Sequence, residues 1–172
     1  KEMLGTKAVP LQLPIGSEDN FRGVVDLVEN KAMVWNEQDQ GMTFEEISIP
    51  EDMVDEVAEY REKLVESVAE YDDGLMEKYF EDPESISKDE IVGALRAATI
   101  DLAFVPMLCG SAFKNKGVQT MLDYVMELLP SPLDKEEITG INPDTEEETT
   151  RFPKVEDSFA ALAFKIATDP FV

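Results

Sequence analysis

Residues 104–132, FVPMLCGSAFKNKGVQTMLDYVMELLPSP, constrain this chain more than any other stretch. An apolar extended run over 104–109 enters a turn of small residues, Gly110-Ser111-Ala112, and then a basic, polar loop, Lys114-Asn115-Lys116. A helix is expected from about Gly117, because Val118, Met121, Leu122, Val125 and Leu129 recur at helical spacing and read as its inward stripe. Pro130-Ser131-Pro132 stops it. A strand–loop–helix unit belongs to open α/β sheets, where ligands sit at loops leaving the carboxyl ends of strands. Small residues there let backbone amides approach a ligand edge closely. Spacing alone leaves a second reading open, an ordinary strand-to-helix turn.

The rest of the chain reads as follows. Residues 1–5 look like a helix tail closed by Gly5, and 9–15 (VPLQLPI) like a strand from which Pro10 and Pro14 exclude helix. Segments 21–28, 31–35 and 42–49 are rich in β-formers and separated by turn residues, which predicts a three-stranded antiparallel meander. Residues 51–70 form the clearest helix, with Met53, Val54, Val57, Leu64, Val65 and Val68 as the buried stripe. A short helix over 72–80 follows, and Ser87 with Glu90 matches a capping box opening a helix to about 101 that carries Ile91, Leu95 and Ala98 inward. Residues 133–157 read as an acidic connecting segment and 159–166 as a strand. Trp35 and Cys109 are expected in the core, and Lys114 and Lys116 in solvent or beside a ligand. The fold class is therefore α/β with an α+β insert, an antiparallel meander packed on helices.

Charge narrows the partners. Fifteen basic against 38 acidic residues give a net charge of −23. That balance opposes contact with nucleic-acid phosphates, so direct nucleic-acid binding is not expected. It favours basic proteins, with an attraction that weakens with salt. Asp52, Asp55, Glu59, Glu62 and Glu66 fall at intervals of three or four on the polar side of the 51–70 helix. Pairs such as Asp55/Glu59 and Glu62/Glu66 oppose helix formation by about 0.2–0.5 kcal/mol each. The stripe reads either as a solvated face or as a docking face whose partner is basic.

Other chemistries are excluded or unsupported. No histidine is present, which removes His-dependent nucleophilic catalysis and His metal ligation within the chain. Residues 144–148 (DTEEE) lack the Asp-rich run and central Gly of a calcium loop, and no metal site is expected. Trp35 is the only tryptophan, so no Trp-lined sugar cleft is suggested for paired carboxylates. With Cys109 alone, no internal disulfide can form, which fits a reducing compartment. The most apolar stretch, 97–109, is broken by Asp101 and Pro106 and too short to span a bilayer, so no membrane contact is expected.

Four stretches, in this order, carry a resemblance: AVPLQLPIG at 8–16, FRGVVDL at 21–27, the GSAFKNKG loop at 110–117 and FKIATDPFV at 164–172. Together they resemble the bacterial elongation factor G family of translational GTPases, over nearly the whole chain. The resemblance implies a remnant of a P-loop GTPase sheet at 1–16, the family's G′ insert at 17–103, and the last strand, guanine loop and helix of the GTPase domain at 104–132. A linker at 133–157 and a truncated first strand of domain II at 158–172 would follow. It also implies that Ser111, Ala112 and Phe113 present amides to a guanine carbonyl, and that the parent binds GTP or GDP with Mg²⁺. The parent would be a cytoplasmic enzyme that binds the ribosome and drives tRNA–mRNA translocation. The basic C-terminal domain of the ribosomal stalk protein would dock on Asp52, Asp55, Glu59, Glu62 and Glu66.

The chain departs from that enzyme in what it lacks. It has no Gly-x-x-x-x-Gly-Lys-[Ser/Thr] loop, and Asn115-Lys116-Gly117-Val118 imitates the guanine-reading Asn-Lys-x-Asp motif with Val118 where the carboxylate belongs. No catalytic residue, bound cofactor or activity is expected of this piece by itself. Two alternatives stay open: a stand-alone acidic interaction module, or a related ribosomal GTPase such as a tetracycline-protection or release factor.

Overall fold

Pro10 and Pro14 bracket a residue, Leu11, at which the 9–15 strand changes sheets. The computed structural model describes residues 6–134, 137–161, 163 and 165–168. In it β1 (Lys7–Pro10) runs parallel to β6 (Phe104–Met107), whereas β2 (Gln12–Ile15) pairs antiparallel with β3 (Gly23–Asp26). Leu11 joins the two: its N–H donates to the Met107 carbonyl at 2.9 Å and its carbonyl accepts from Leu27 N–H at 2.9 Å. The expected meander of three strands thus has four, in the order β2-β3-β4-β5, with β4 at Lys31–Trp35 and β5 at Phe44–Ile47. Pro14 is tolerated because β2 is an edge strand.

Strand β3 is buried on both faces, by Val24 and Val25 and by the hydrogen-bonded Asp26 at its end. Val25, with Leu13, Leu27 and Ala32, joins the main core, whereas Val24 joins a smaller cluster with Phe21, Met33, Trp35 and Cys109. The main core is completed by α1 (Val54–Ala69), α2 (Asp73–Glu81) and α3 (Lys88–Ile100), through side chains such as Val57, Leu64, Val68, Leu75, Ile91, Leu95 and Ala98. Val54 departs from the predicted stripe and is 49% exposed. A 3-10 turn over Glu51–Met53 precedes α1, and its tighter winding keeps Met53 inward while rotating Val54 out. Arg61 of α1 donates to the carbonyls of Leu27 and Val28, just past the end of β3.

The capping box of α3 forms as expected. Ser87 Oγ accepts from Glu90 N–H at 3.4 Å, and Glu90 Oε2 accepts from Ser87 N–H at 2.9 Å. An ion pair with Lys78 and the Ser87 bonds hold the Glu90 carboxyl at about 2, below its ordinary 4.5. A depressed carboxyl contributes stability that is complete above 4.5 and lost as pH falls towards 2. Glu90→Gln is therefore expected to lower thermal stability at pH 7 and to match the parent chain near pH 2, a convergence that circular-dichroism melts across pH would reveal.

Helix α4 (Val118–Leu128) corrects the sequence reading most sharply. Its buried side is Thr120, Tyr124 and Leu128, whereas Met121, Leu122, Val125 and Leu129, predicted as the inward stripe, are exposed. Periodicity identifies an apolar face but not the surface that covers it. Arg96 of α3 closes the helix, donating to the carbonyls of Glu127 at 2.8 Å and Leu129 at 3.0 Å.

The elements from β1 to α4 belong to one unit, Lys1–Leu129, and Pro130–Val172 is a second. In the second unit the acidic 133–157 stretch carries a hairpin, in which β7 (Ile138–Ile141) and β8 (Glu148–Arg151) pair antiparallel. Its loop is held by Asn142, whose carbonyl accepts from Glu146 N–H at 2.8 Å and whose Oδ1 accepts from Asp144 N–H at 2.9 Å. The strand expected over 159–166 is not formed in its described residues, and Phe159 and Ile166 lie exposed. No described neighbour offers them a ladder. The helix tail expected at 1–5, and residues 162, 164 and 169–172, lie outside the described residues. Among the described residues no helix is long and apolar enough to cross a membrane.

Candidate functional site

The loop after β6 is closed by a two-way bridge. Ser111 N–H donates to the Lys116 carbonyl at 2.8 Å and Lys116 N–H returns to Ser111 at 3.0 Å. Asn115 N–H donates to the Ala112 carbonyl at 3.2 Å, and Asn115 adopts a left-handed backbone with φ of 52°. Gly117, at φ 81°, turns the chain into α4; a Cβ there would lie 2.6 Å from the Cys109 carbonyl oxygen. These constraints leave Ala112 and Phe113 at the tip. Among the described residues their two amides donate to no acceptor, and the Phe113 side chain is fully exposed. Ser111, Ala112 and Phe113, the predicted nucleotide-contacting residues, thus share one turn, with Ser111 as its clasp and the other two as its open donors.

Two lysines flank that tip and behave differently from the solvated reading. Lys114 Nζ donates to the Asp19 carbonyl at 3.3 Å. Lys116 is 2% exposed, and its Nζ donates to the Phe21 carbonyl at 2.9 Å and to Glu37 Oε1 at 2.7 Å. The hydrogen bond and charge of Lys116 hold the Glu37 carboxyl below its ordinary range. Residues 115–118 are used structurally: the Asn115 side-chain amide donates to the Gly41 carbonyl at 3.2 Å. A cleft of about 490 Å³, lined by Glu37, Gln40, Gly41, Phe113, Lys114 and Lys116, opens beside the loop. Sequence reasoning missed Gly41, Glu37 and Gln119 as partners of this loop, and no local signal marks them.

The second candidate surface is the acidic side of α1. Asp55, Glu59, Glu62 and Glu66 are all exposed and follow one another at helical spacing. Asp52 lies apart in the preceding 3-10 turn, where it lines a cleft with Asp19 and Arg22. Glu59 is paired with Lys63 four residues on. Burial, and then the charges of Glu66 and Glu62, push the Tyr79 phenol of α2 up. Among the described residues no group of His, Cys, Asp or Glu side chains could hold a metal ion.

No family model matches the chain. Across all 172 residues it is 73% identical to elongation factor G of Cytophaga hutchinsonii, 59% to that of Amoebophilus asiaticus and 48% to that of Karelsulcia muelleri. It spans 24%, 24% and 25% of those proteins, about a quarter of their length. A solved structure from Thermus thermophilus superposes with a TM-score of 0.65 at 26% identity, covering 75% of this chain and 19% of that one. A mixed α/β unit that joins a four-stranded antiparallel sheet to a parallel strand pair, and relatives of this name, define a segment of a translation factor. The chain belongs to the elongation factor G family, as a stretch of about a quarter of its members' length.

Proposed function

We propose that this chain contributes guanine contact and partner docking to a ribosomal translocase that hydrolyses GTP to move tRNA and mRNA. The observation that carries the reading is the pair of open amides at Ala112 and Phe113, on a clasped turn that follows a parallel strand. Two N–H groups left without an acceptor on a clasped turn suit a carbonyl oxygen on a planar base edge. The phosphates and Mg²⁺ would be held elsewhere in the parent, since this sequence has no Walker-type loop, and the isolated chain is expected to be inactive. In this reading 1–16 and 104–132 belong to the GTPase domain, 17–103 to its G′ insert, 133–157 to a linker and 158–172 to the start of domain II. The setting is the cytoplasm and the large partner is the ribosome.

The acidic side of α1 is the docking face for the basic C-terminal domain of the ribosomal stalk protein. Asp55, Glu59, Glu62 and Glu66 form an exposed line whose like charges repel, and a basic partner relieves that repulsion. Titration of this chain with the isolated stalk domain is expected to give weak binding that is stronger at low salt. Changing Asp55, Glu59, Glu62 and Glu66 together to Lys should abolish it while the circular-dichroism spectrum is retained. Binding that persists in that variant would remove α1 as the docking face.

A further inference from the structure

The 110–117 loop is held less by the strand that leads into it than by the meander beside it. Lys116 reaches the Phe21 carbonyl and Glu37 from a fully enclosed position. The Gly41 carbonyl accepts from both Asn115 Nδ2 at 3.2 Å and Gln119 Nε2 at 2.9 Å. Gln119 Oε1 in turn accepts from Trp35 Nε1 at 3.0 Å, and Trp35 is the last residue of β4. Contact extends to the backbone, since a Cβ on Gly41 would lie 2.6 Å from the Asn115 carbonyl oxygen and 2.7 Å from that of Lys114. Lys114 is tied to the 16–20 turn through Asp19. Three separate places in the 16–41 stretch therefore hold four residues of the loop and the first turn of α4, Lys114, Asn115, Lys116 and Gln119, and none of these bonds engages the amide of Ala112 or Phe113.

A lysine ammonium is enclosed only where its donors are satisfied, because a charge removed from water must be paired or hydrogen-bonded. Phe21 supplies a carbonyl and Glu37 a carboxylate, so the enclosed ammonium is matched by one acceptor on each of two turns. Removing it takes away one attachment to each turn and leaves Lys114 on Asp19 and Asn115 and Gln119 on Gly41. The Ala112 and Phe113 amides are then placed by the backbone clasp and the weaker Lys114, Asn115 and Gln119 bonds, without the one enclosed charge.

We infer that Lys116 is a positioning residue for base recognition: it fixes the loop from the meander side, so that the insert sets the geometry of the two open amides. The inference rests on the guanine-contact reading above and adds to it where the loop's rigidity originates. A partner or substitution that shifts the 16–22 or 36–41 turns is then felt at Ala112 and Phe113 without touching them.

The test uses the full-length elongation factor carrying this segment, with GDP and ADP as probes and hydrogen exchange read without nucleotide. Lys116→Met should raise amide exchange over 111–117 and weaken GDP binding about tenfold, the equivalent of one lost hydrogen bond. ADP affinity should not change, because loosened amides aimed at a base carbonyl penalise GDP alone, whereas general loosening weakens both. The ratio of GDP to ADP affinity therefore separates positioning from mere stability. Should Lys116→Met fail to fold, Asn115→Gly keeps the left-handed backbone and deletes only the bond to Gly41; about threefold weaker GDP binding is expected. Ala112→Pro, which removes one open amide, tests the reading beneath. Weakening by Ala112→Pro with Lys116→Met and Asn115→Gly at parental GDP affinity would overturn the positioning role alone. Parental affinity in all three would overturn the guanine-contact reading and the inference with it.

Discussion

Replacing Asp26 by Ala is expected to destabilise the unit containing the meander by roughly 3–5 kcal/mol, a third or more of the stability of an ordinary domain. Asp26 is 2% exposed, and among the described residues no lysine or arginine bonds to it; its carboxyl is met by hydrogen bonds from uncharged donors. Oδ1 accepts from Val28 N–H at 3.0 Å and Glu29 N–H at 2.9 Å, which shapes the turn between β3 and β4. Oδ2 accepts from Gln12 Nε2 at 3.1 Å, and Tyr124 Oη donates to both oxygens at 2.8 and 2.9 Å. One carboxylate thus joins the edge strand, the hairpin turn and α4. Burial, and then the Asp26 charge, push the Tyr124 phenol far above its ordinary range, so it remains a donor at every working pH. Alanine would strand four donors, with unmet buried groups costing about 1–3 kcal/mol each before water enters. Tyr124→Phe removes a single donor and should cost about 1 kcal/mol. Urea unfolding of the three chains measures the order; an Asp26→Ala loss no larger than that of Tyr124→Phe would mean that the turn and the edge strand do not need the carboxylate.

What could be read from the residues, and what could not, divides by the range of the interaction. The Ser87–Glu90 box, the inward residues of α1 and α3, and the β-rich segments of the meander are set by neighbours within a few positions, and each formed where expected, Val54 aside. The switch at Leu11 is not visible, because an apolar residue in a Pro-bracketed extended run looks the same whether the chain continues or changes sheet. Lys116 sits among polar neighbours and reads as solvated; its acceptors lie 95 and 79 positions away, and only the packed meander brings them together. The hairpin at 138–151 did leave a trace, a turn at Asn142-Pro143-Asp144 between β-branched residues, but the surrounding acidic run obscured it. For the loop itself, the small residues marked the turn correctly, whereas the open amides of Ala112 and Phe113 required the Ser111–Lys116 clasp to be seen.

Two glycine-to-alanine substitutions should act in opposite directions, and the contrast tests the packing between β3 and β4. At Gly23 the backbone conformation suits any residue, yet a Cβ would stand 1.9 Å from the Met33 carbonyl oxygen and 2.9 Å from Val34 Cα. Both obstacles are backbone of the paired strand, opposite which Gly23 lies in register with Val34, so neither can rotate aside. Gly23→Ala must push β4 away by roughly an ångström, at a cost of about 3 kcal/mol or more. Gly93 is an exposed interior position of α3 with nothing within 4 Å of its would-be Cβ. Gly93→Ala should stabilise by roughly 0.5–1 kcal/mol, since alanine loses less backbone freedom on entering a helix. The first substitution also bears on the loop. Phe21, whose carbonyl receives Lys116, lies two residues before Gly23, and Trp35, which holds Gln119, directly follows Val34. Pushing β4 outward therefore separates two of the attachments that keep Ala112 and Phe113 in place, and Gly23→Ala should raise amide exchange over 111–117 at urea concentrations well below its unfolding midpoint. Equal urea midpoints for the two variants would mean that β3 and β4 part at Gly23 with little cost, and that the loop is not braced through that contact.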